Sequence, residues 1–255
     1  MIPLPRDFLT RPIAHRALHD RASGRPENSR AAVRAAVTAG YGIEIDLQLS
    51  ADGRAMVFHD YDLGRLTVAR GPVRQRSAAE LGAIRLTDAN DGIPTLEEVL
   101  EIVGGRVPLL VEIKDQDGAL GPDVGPLEKA TAHALTGYTG PVALMSFNPY
   151  AVAAMAELLP DMPRGLTTCD FNATDWSLVP EATRARLRGI PDAGRVGASF
   201  ISHHWADLSA DPVAAMQDKG LAVLCWTIRT PEEEATARRI AQNVTFEGYL
   251  PSLPA

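Results

Sequence analysis

The chain has 255 residues, 22% of them charged and 45% hydrophobic, and a formal net charge of −7. Nucleic-acid binding rests on phosphate neutralisation by Lys and Arg, so an acidic chain without a basic stripe is not read as a nucleic-acid binder. No apolar run approaches the length of about 18 residues that spans a bilayer, and Met1 to Asp7 lacks a basic stretch leading into an apolar one, so stable membrane insertion is not expected and the expectation is a cytoplasmic protein. Cys169 and Cys225 are too few and too far apart for a disulfide framework or a zinc site, which leaves buried, reduced thiols as their reading.

Residues Arg11 to Arg16 form a short apolar run ending in His15 and Arg16, a strand that would deliver both at its carboxyl end. A loop rich in Gly, Pro and charge follows, from Ala17 to Glu27. Asn28 or Ser29 can cap the next helix, whose Ala32, Val33, Ala36 and Val37 recur at helical spacing before Gly40 closes it. From Ile43 to Leu49 apolar residues alternate with Glu44, Asp46 and Gln48. A strand here sends Ile43, Ile45, Leu47 and Leu49 to one face and both carboxylates to the other. Like charges about 4 Å apart repel by about 4 kcal/mol at an effective dielectric near 20, so such a pair calls for a cation.

Asp52-Gly53 is a hairpin signal, and Ala55 to Phe58 is the returning arm. With Asp52 and Gly53 as a two-residue loop, Asp46 lies opposite His59. Residues 61–94 read mainly as loop, with a short helix around Ala78 to Leu81, so the stretch around 50–94 is a hairpin followed by a lid-like insertion. Thr95 and Glu98 have capping-box spacing at the start of a helix that Gly104-Gly105 ends. In the next strand, Val107 to Lys114, Glu112 and Lys114 share a face. Further strands fit Val142 to Phe147, Arg164 to Thr168, Ala198 to Ser202, Leu221 to Ile228 and Val244 to Tyr249. Helices fit Leu127 to Leu135, Pro149 to Leu159, Glu181 to Arg188, Pro212 to Lys219 and Pro231 to Ala241. Asn148-Pro149, Asp211-Pro212 and Thr230-Pro231 each pair a capping residue with a first-turn proline.

Without the hairpin arm, eight strands remain, nearly all separated by helices. This α/β alternation predicts a single (β/α)8 TIM barrel over residues 1–255, with the active site at the carboxyl ends of the strands. An open doubly wound sheet is the alternative, but no Gly-x-Gly-x-x-Gly turn follows the first strand. His15, Arg16, Glu44, Asp46, Glu112, Lys114 and Trp226 all fall at or near the carboxyl face. An all-oxygen set from Glu44, Asp46 and Glu112 selects one hard divalent cation such as Mg²⁺, Ca²⁺ or Mn²⁺. Three carboxylates and a dication leave one negative charge, and Arg16 with Lys114 turn it into one positive charge. That suits a phosphodiester, with His15 and His59 moving protons on opposite sides of phosphorus.

The runs Ile13-Ala-His-Arg16, Pro26-Glu-Asn28, Ile43 to Gly53 with Phe58-His-Asp60, Ile93 to Leu100, Val111-Glu-Ile-Lys114 and Trp226-Thr227 resemble the glycerophosphodiester phosphodiesterase family, in order along the whole chain. The resemblance implies a TIM barrel that hydrolyses glycerophosphodiesters to sn-glycerol 3-phosphate and an alcohol. It implies Glu44, Asp46 and Glu112 as metal ligands, His15 and His59 as general base and acid, and Arg16 and Lys114 as phosphate holders. Three features set this chain apart from the family's pattern. Ala17 stands where His-Arg is usually followed by Gly, the loop through His19-Asp20 is longer, and the last strand runs into Val244-Thr-Phe-Glu-Gly-Tyr-Leu-Pro rather than a Gly-Ile-Ile-Thr-Asp ending. Phe147 and Trp226 are placed where the carbon skeleton of the substrate can pack. His203 and His204 read as structural or rim residues, and His19, His133 and Arg184, Arg186 and Arg188 as solvated surface. Rival readings are a lysophospholipase D or other phosphodiesterase in the same site, a glycosidase, and a non-catalytic phosphate binder. The acids lying on one strand beside cations disfavour the glycosidase, and the two histidines disfavour the binder.

Overall fold

The computed structural model describes residues 1–253. Its strands are β1 (Ile13–Ala14), β2 (Gly42–Leu49), β3 (Ala55–Val57), β4 (Leu109–Ile113), β5 (Val142–Ser146), β6 (Arg164–Thr168), β7 (Phe200–His204), β8 (Ala222–Ile228) and β9 (Asn243–Phe246). All but β3 run parallel in the order β1-β9-β8-β7-β6-β5-β4-β2, and the pairing of β1 with β2 closes the ring. This is the eight-stranded barrel that the alternation of elements predicts. Between the strands run α2 (Arg30–Ala39), α4 (Leu96–Val103), α5 (Pro126–Ala134), α6 (Pro149–Leu158), α7 (Glu181–Arg188), α8 (Asp211–Asp218) and α9 (Pro231–Ala237), while α1 (Asp7–Thr10) precedes β1 and α3 (Ala78–Ala83) follows β3.

Strand alternation sorts the core into two shells. Ile43, Ile45 and Leu47 face outward against Ala32, Val33 and Ala36 of α2 and Leu96 and Val99 of α4. Inside the barrel, Ile13, Leu110, Ala143, Met145, Phe200 and Leu224 pack together, and Leu4 and Phe8 plug the amino-terminal end. Asn243 ties that plug down, donating from Nδ2 to the carbonyls of Phe8 and Arg11 at 2.8 and 2.6 Å. The short α1 has no periodic apolar signal; Phe8, fully buried, anchors it. Above the apolar plug the inner face turns polar, and the site lies there.

Thr95 accepts from Glu98 N–H and Glu98 answers in the expected capping box. Ser29, rather than Asn28, caps α2, which frees the Asn28 side chain for the barrel interior. Asp211 lies inside α8, whose cap position is Ala210, so that expected cap is absent.

The hairpin register differs from the expectation. Leu47 pairs with Val57, Gln48 with Met56 and Leu49 with Ala55, which shifts every partner by one residue. Ser50 and Arg54 close the turn, leaving Ala51, Asp52 and Gly53 as a three-residue loop, with Gly53 at φ 78° in the left-handed region. Asp46 is therefore opposite Phe58, whose N–H donates to the Asp46 carbonyl, and His59 follows after the arm has left the sheet. The segment that follows is not a bare loop. Met56, Phe58, Leu63, Leu66, Val73, Leu81, Leu86 and Ile93 build a small apolar core of their own around two 3₁₀ turns and α3.

One close approach supports the barrel interior. A Cβ on Gly165 would lie 2.5 Å from the ring and 2.6 Å from the carbonyl oxygen of Phe200, the partner of Gly165 on β7, so this glycine makes room for an aromatic residue of the barrel interior. Gly165→Ala should therefore destabilise the fold by about 1–3 kcal/mol through overpacking. Urea unfolding would read this as a lower midpoint at unchanged slope, and an unchanged midpoint would show that Phe200 repacks freely.

Candidate active site

The acids sit where β2 and β4 lie side by side. Asp46 and Glu112 are register partners, and Glu44 precedes Asp46 by two positions on the same inner face. One carboxylate oxygen from each of Glu44, Asp46 and Glu112 falls within 4.8 Å of the others, and all three residues are buried. Lys114 lies above them, its Nζ 2.7 Å from Glu112 Oε1 and 3.3 Å from Asp46 Oδ1. Arg16 approaches from the end of β1: its backbone N–H donates to Glu44 Oε2 at 2.8 Å, and its Nε is 3.6 Å from Asp46 Oδ2. Arg16, Ala17 and Asn28 all hold positive φ (52°, 65° and 57°), a costly conformation for non-glycine residues that clusters at functional sites. At Ala17 it lets the chain turn so that its own N–H meets the Glu44 carbonyl. At Asn28 it brings Nδ2 within 2.9 Å of Asp46 Oδ2, while Oδ1 accepts from the Asp46 N–H.

The three acids differ in electrostatic environment. Burial and the neighbouring charges of Asp46 and Glu112 push the Glu44 carboxyl well above the usual range. Burial works against Asp46 too, but Lys114, His59 and Arg16 outweigh it and hold that carboxyl far below the ordinary value. Burial would depress the Lys114 ammonium, yet Glu112 and Asp46 raise it. With only two fixed cations for three buried carboxylates, Glu44 is left without a charged partner of its own, since its contact with Arg16 is through the backbone. This donor set, all oxygen and in surplus negative charge, fits one hard divalent cation.

Each histidine is backed by a carboxylate. His15 Nδ1 lies 2.7 Å from Glu247 Oε2, and His59 Nδ1 lies 2.7 Å from Asp60 Oδ1. Burial lowers the pKa of His15 despite Glu247. The hydrogen bond from His15, with His19 close by, holds Glu247 far below its ordinary value, and Arg229 takes its other oxygen at 2.7 Å. Asp60 resists burial through His59 and Arg65 and also stays ionised. Arg65 then reaches Glu27, which binds Arg16 at 2.7 Å, so one chain of ion pairs joins His59 to Arg16.

All eight sequence-predicted residues line one cavity of about 670 Å³: His15, Arg16, Glu44, Asp46, His59, Glu112, Lys114 and Trp226. Trp226 donates from Nε1 to the Ser202 carbonyl at 3.0 Å, and its ring packs edge-on to Phe147, which also meets Trp176. His203 is turned away from the cavity, bound to Thr168 Oγ1 and Asp207. His19 is not surface-solvated as expected but half-buried, with Nε2 3.5 Å from Glu247. Arg184 and Arg188 bond to carbonyls of the loop after β6, and Arg186 to Asp192, so this run also does more than face solvent. Glu247, Asp60, Arg65 and Glu27 are the site residues that sequence reasoning did not single out. Only Asp60 and Glu27 stood inside quoted motifs, and the departure at the last strand marked the position of Glu247 without revealing its use.

The glycerophosphoryl diester phosphodiesterase family matches residues 15–244. A glycerophosphodiester phosphodiesterase of Caldanaerobacter subterraneus subsp. tengcongensis is 33% identical over 218 residues, 82% of either chain. The structure of an Oleispira antarctica phosphodiesterase in complex with the product sn-glycerol-3-phosphate superposes with a TM-score of 0.74 at 24% identity, covering 92% of this chain and 91% of that one. A glycerophosphodiester phosphodiesterase of Parabacteroides distasonis gives a TM-score of 0.73 at 21% identity, over 93% and 92% of the two chains. With the barrel closed and its inner face carrying this site, the chain belongs to the glycerophosphoryl diester phosphodiesterase family and is a phosphoric diester hydrolase.

Proposed function

We propose that the protein hydrolyses glycerophosphodiesters to sn-glycerol 3-phosphate and an alcohol, with one divalent cation and two histidines. The observation that carries this reading is the meeting, in one cavity, of a buried carboxylate triad, two fixed cations and two carboxylate-backed imidazoles. The product complex of the Oleispira antarctica enzyme supports the same chemistry here. Glu44, Asp46 and Glu112 hold the cation, for which the oxygen donors favour Mg²⁺, Ca²⁺ or Mn²⁺. When bound, it supplies positive charge to the phosphate oxygens and relieves the repulsion within the triad. Arg16 and Lys114 hold the remaining phosphate charge, as their place beside the acids supports.

His15 acts as the general base. Burial favours its neutral form, and an Nδ1–H bond to Glu247 leaves the Nε2 lone pair to take the proton of the attacking hydroxyl. His59, with Nδ1 held by Asp60, returns a proton from Nε2 to the departing alcohol oxygen. Trp226 packs against the carbon skeleton of the substrate. Residues 1–255 serve as one such unit, and the 50–94 insertion contributes His59, Asp60 and Arg65 to it. Two buried, unbridged thiols suit a reducing compartment, and we place the enzyme in the cytoplasm.

Incubation with glycerophosphocholine and a divalent cation should release glycerol 3-phosphate, and EDTA should stop it; metal-independent release would remove the triad from the chemistry. His59→Ala should lower kcat by about 10²–10⁴, whereas a loss of only a few-fold would make His59 structural. Because burial lowers the His15 pKa, its neutral form persists to lower pH than an ordinary imidazole, so the acid limb of kcat/KM should fall below pH 6.5. Glu247→Gln removes an interaction that raises this pKa and should move the limb lower still.

The triad itself gives a test without turnover. Since the Glu44 pKa is raised in the fold, the metal-free protein loses stability as pH climbs above the unfolded value of 4.5. At pH 8 in EDTA, Glu44→Gln should therefore melt above wild type, while no longer gaining Tm when Mg²⁺, Ca²⁺ or Mn²⁺ is added. The gain seen for wild type should shrink toward acid pH, where protons compete for the ligands.

A further inference from the structure

Along β2, Gln48 follows Glu44 and Asp46 at the same two-residue spacing, so it shares their face of the strand, and it is as buried as they are, at 2% exposed. Its amide has a different use. Gln48 donates from Nε2 to the backbone carbonyl of His59 at 2.9 Å, while its Oε1 accepts from Gln116 Nε2 at 3.0 Å. Gln116 Nε2 also donates to the Lys114 carbonyl at 2.9 Å. Two side-chain amides thus join the backbone of His59 to that of Lys114.

One end of this bridge is fixed already and the other is not. Lys114 N–H donates to the Leu47 carbonyl at 3.3 Å, and its side chain spans Glu112 and Asp46. His59 lies past the end of β3, whose last bond to β2 is Phe58 N–H on the Asp46 carbonyl at 2.9 Å. Among the described residues, Gln48 makes the only hydrogen bond to the His59 backbone. Asp60 orients the ring through Nδ1 but does not fix how far the chain carries it toward the triad. A glutamine donates and accepts from one side chain without adding charge. A glutamate at position 48 would set a fourth carboxylate beside the triad and face the His59 carbonyl with no proton to give. An aliphatic residue there would leave that carbonyl and the Gln116 amide short of a partner.

We infer that Gln48 and Gln116 are positioning residues for proton transfer, an amide bridge that holds His59 at a set reach from the phosphate site, an inference that rests on the reading of His59 as general acid. Neither glutamine lines the catalytic cavity, so the bridge reaches the substrate only through the residues it holds. Proton transfer to a departing oxygen needs the donor at about 2.6–3.2 Å, and a misplacement of about 1 Å can cost about 10²-fold in rate. The bridge fixes the backbone from which the His59 imidazole extends.

The test compares two leaving groups on the metal-loaded enzyme. Choline leaves glycerophosphocholine as an alkoxide that needs a proton, whereas 4-nitrophenolate leaves glycerol 3-(4-nitrophenyl phosphate) without one. Gln48→Met keeps the side-chain length and loses both hydrogen bonds. It should lower kcat on glycerophosphocholine by about tenfold to a hundredfold, and the loss should shrink to about threefold or less on the nitrophenyl ester. His59→Ala should show the same contrast, and adding Gln48→Met to it should cost glycerophosphocholine turnover no more than about threefold further. Gln116→Ala breaks the bridge from a half-buried position, should show the contrast in smaller measure, and serves where the core variant folds poorly. Both glutamine variants should keep the gain in Tm on adding Mg²⁺, which separates lost positioning from a disturbed triad. Equal losses on the two substrates, or no loss on either, while His59→Ala still separates them, would overturn the bridge and leave the phosphodiesterase reading standing. If His59→Ala itself does not separate them, the general-acid reading falls and this inference with it.

Discussion

Three carboxylates buried on two adjacent strands are the constraint around which this barrel is arranged. Isolated in a low-dielectric interior they would repel one another and lose their hydration, which no amount of apolar packing offsets. The surroundings answer with Lys114 across Glu112 and Asp46, Arg16 against Asp46, the Asn28 amide on Asp46, and a backbone N–H on Glu44. Several of these partners are held in strained backbone conformations, which makes the packing around Arg16, Ala17 and Asn28 responsible for keeping them in place. The negative charge that remains fits the triad for a divalent cation.

The two histidines of the cavity are held by a second tier of charges. His15 and His59 each lean on a carboxylate that other cations keep ionised. Arg65 binds both Asp60 and Glu27, so the insertion that follows β3 is tied to Arg16 as well as to His59. The small apolar core of that insertion gives Arg65 a rigid base. The aromatic group of Phe147, Trp176 and Trp226 walls the same cavity, and the polar floor below separates it from the apolar plug.

Much of this was legible in the residues. A strand has a side-chain period of two, so the alternation from Ile43 to Leu49 by itself determined that Glu44 and Asp46 share the face opposite Ile43, Ile45 and Leu47, and likewise for Glu112 and Lys114. Helix boundaries written in local chemistry, such as the Thr95–Glu98 box and the Gly104 stop, also needed nothing beyond their neighbours. Counting elements led to an eight-stranded barrel because parallel neighbours require crossover helices. The hairpin register is not legible in the same way, since Asp52-Gly53 fits a two-residue or a three-residue loop equally well by composition. Only the pairing of Leu47 with Val57 decides between them.

What tertiary structure alone decided are contacts between residues distant in the chain. His15 and Glu247 are 232 positions apart and meet only because β1 closes the barrel against β9. Arg65 finds Glu27 across 38 positions because the insertion folds back over the barrel mouth. Thr167, Ser202 and Thr245 are ordinary strand residues in the sequence, and the burial of their hydroxyls without hydrogen-bond partners is visible only in the folded chain. Local periodicity reports which face a side chain takes, but barrel closure determines which other faces it meets.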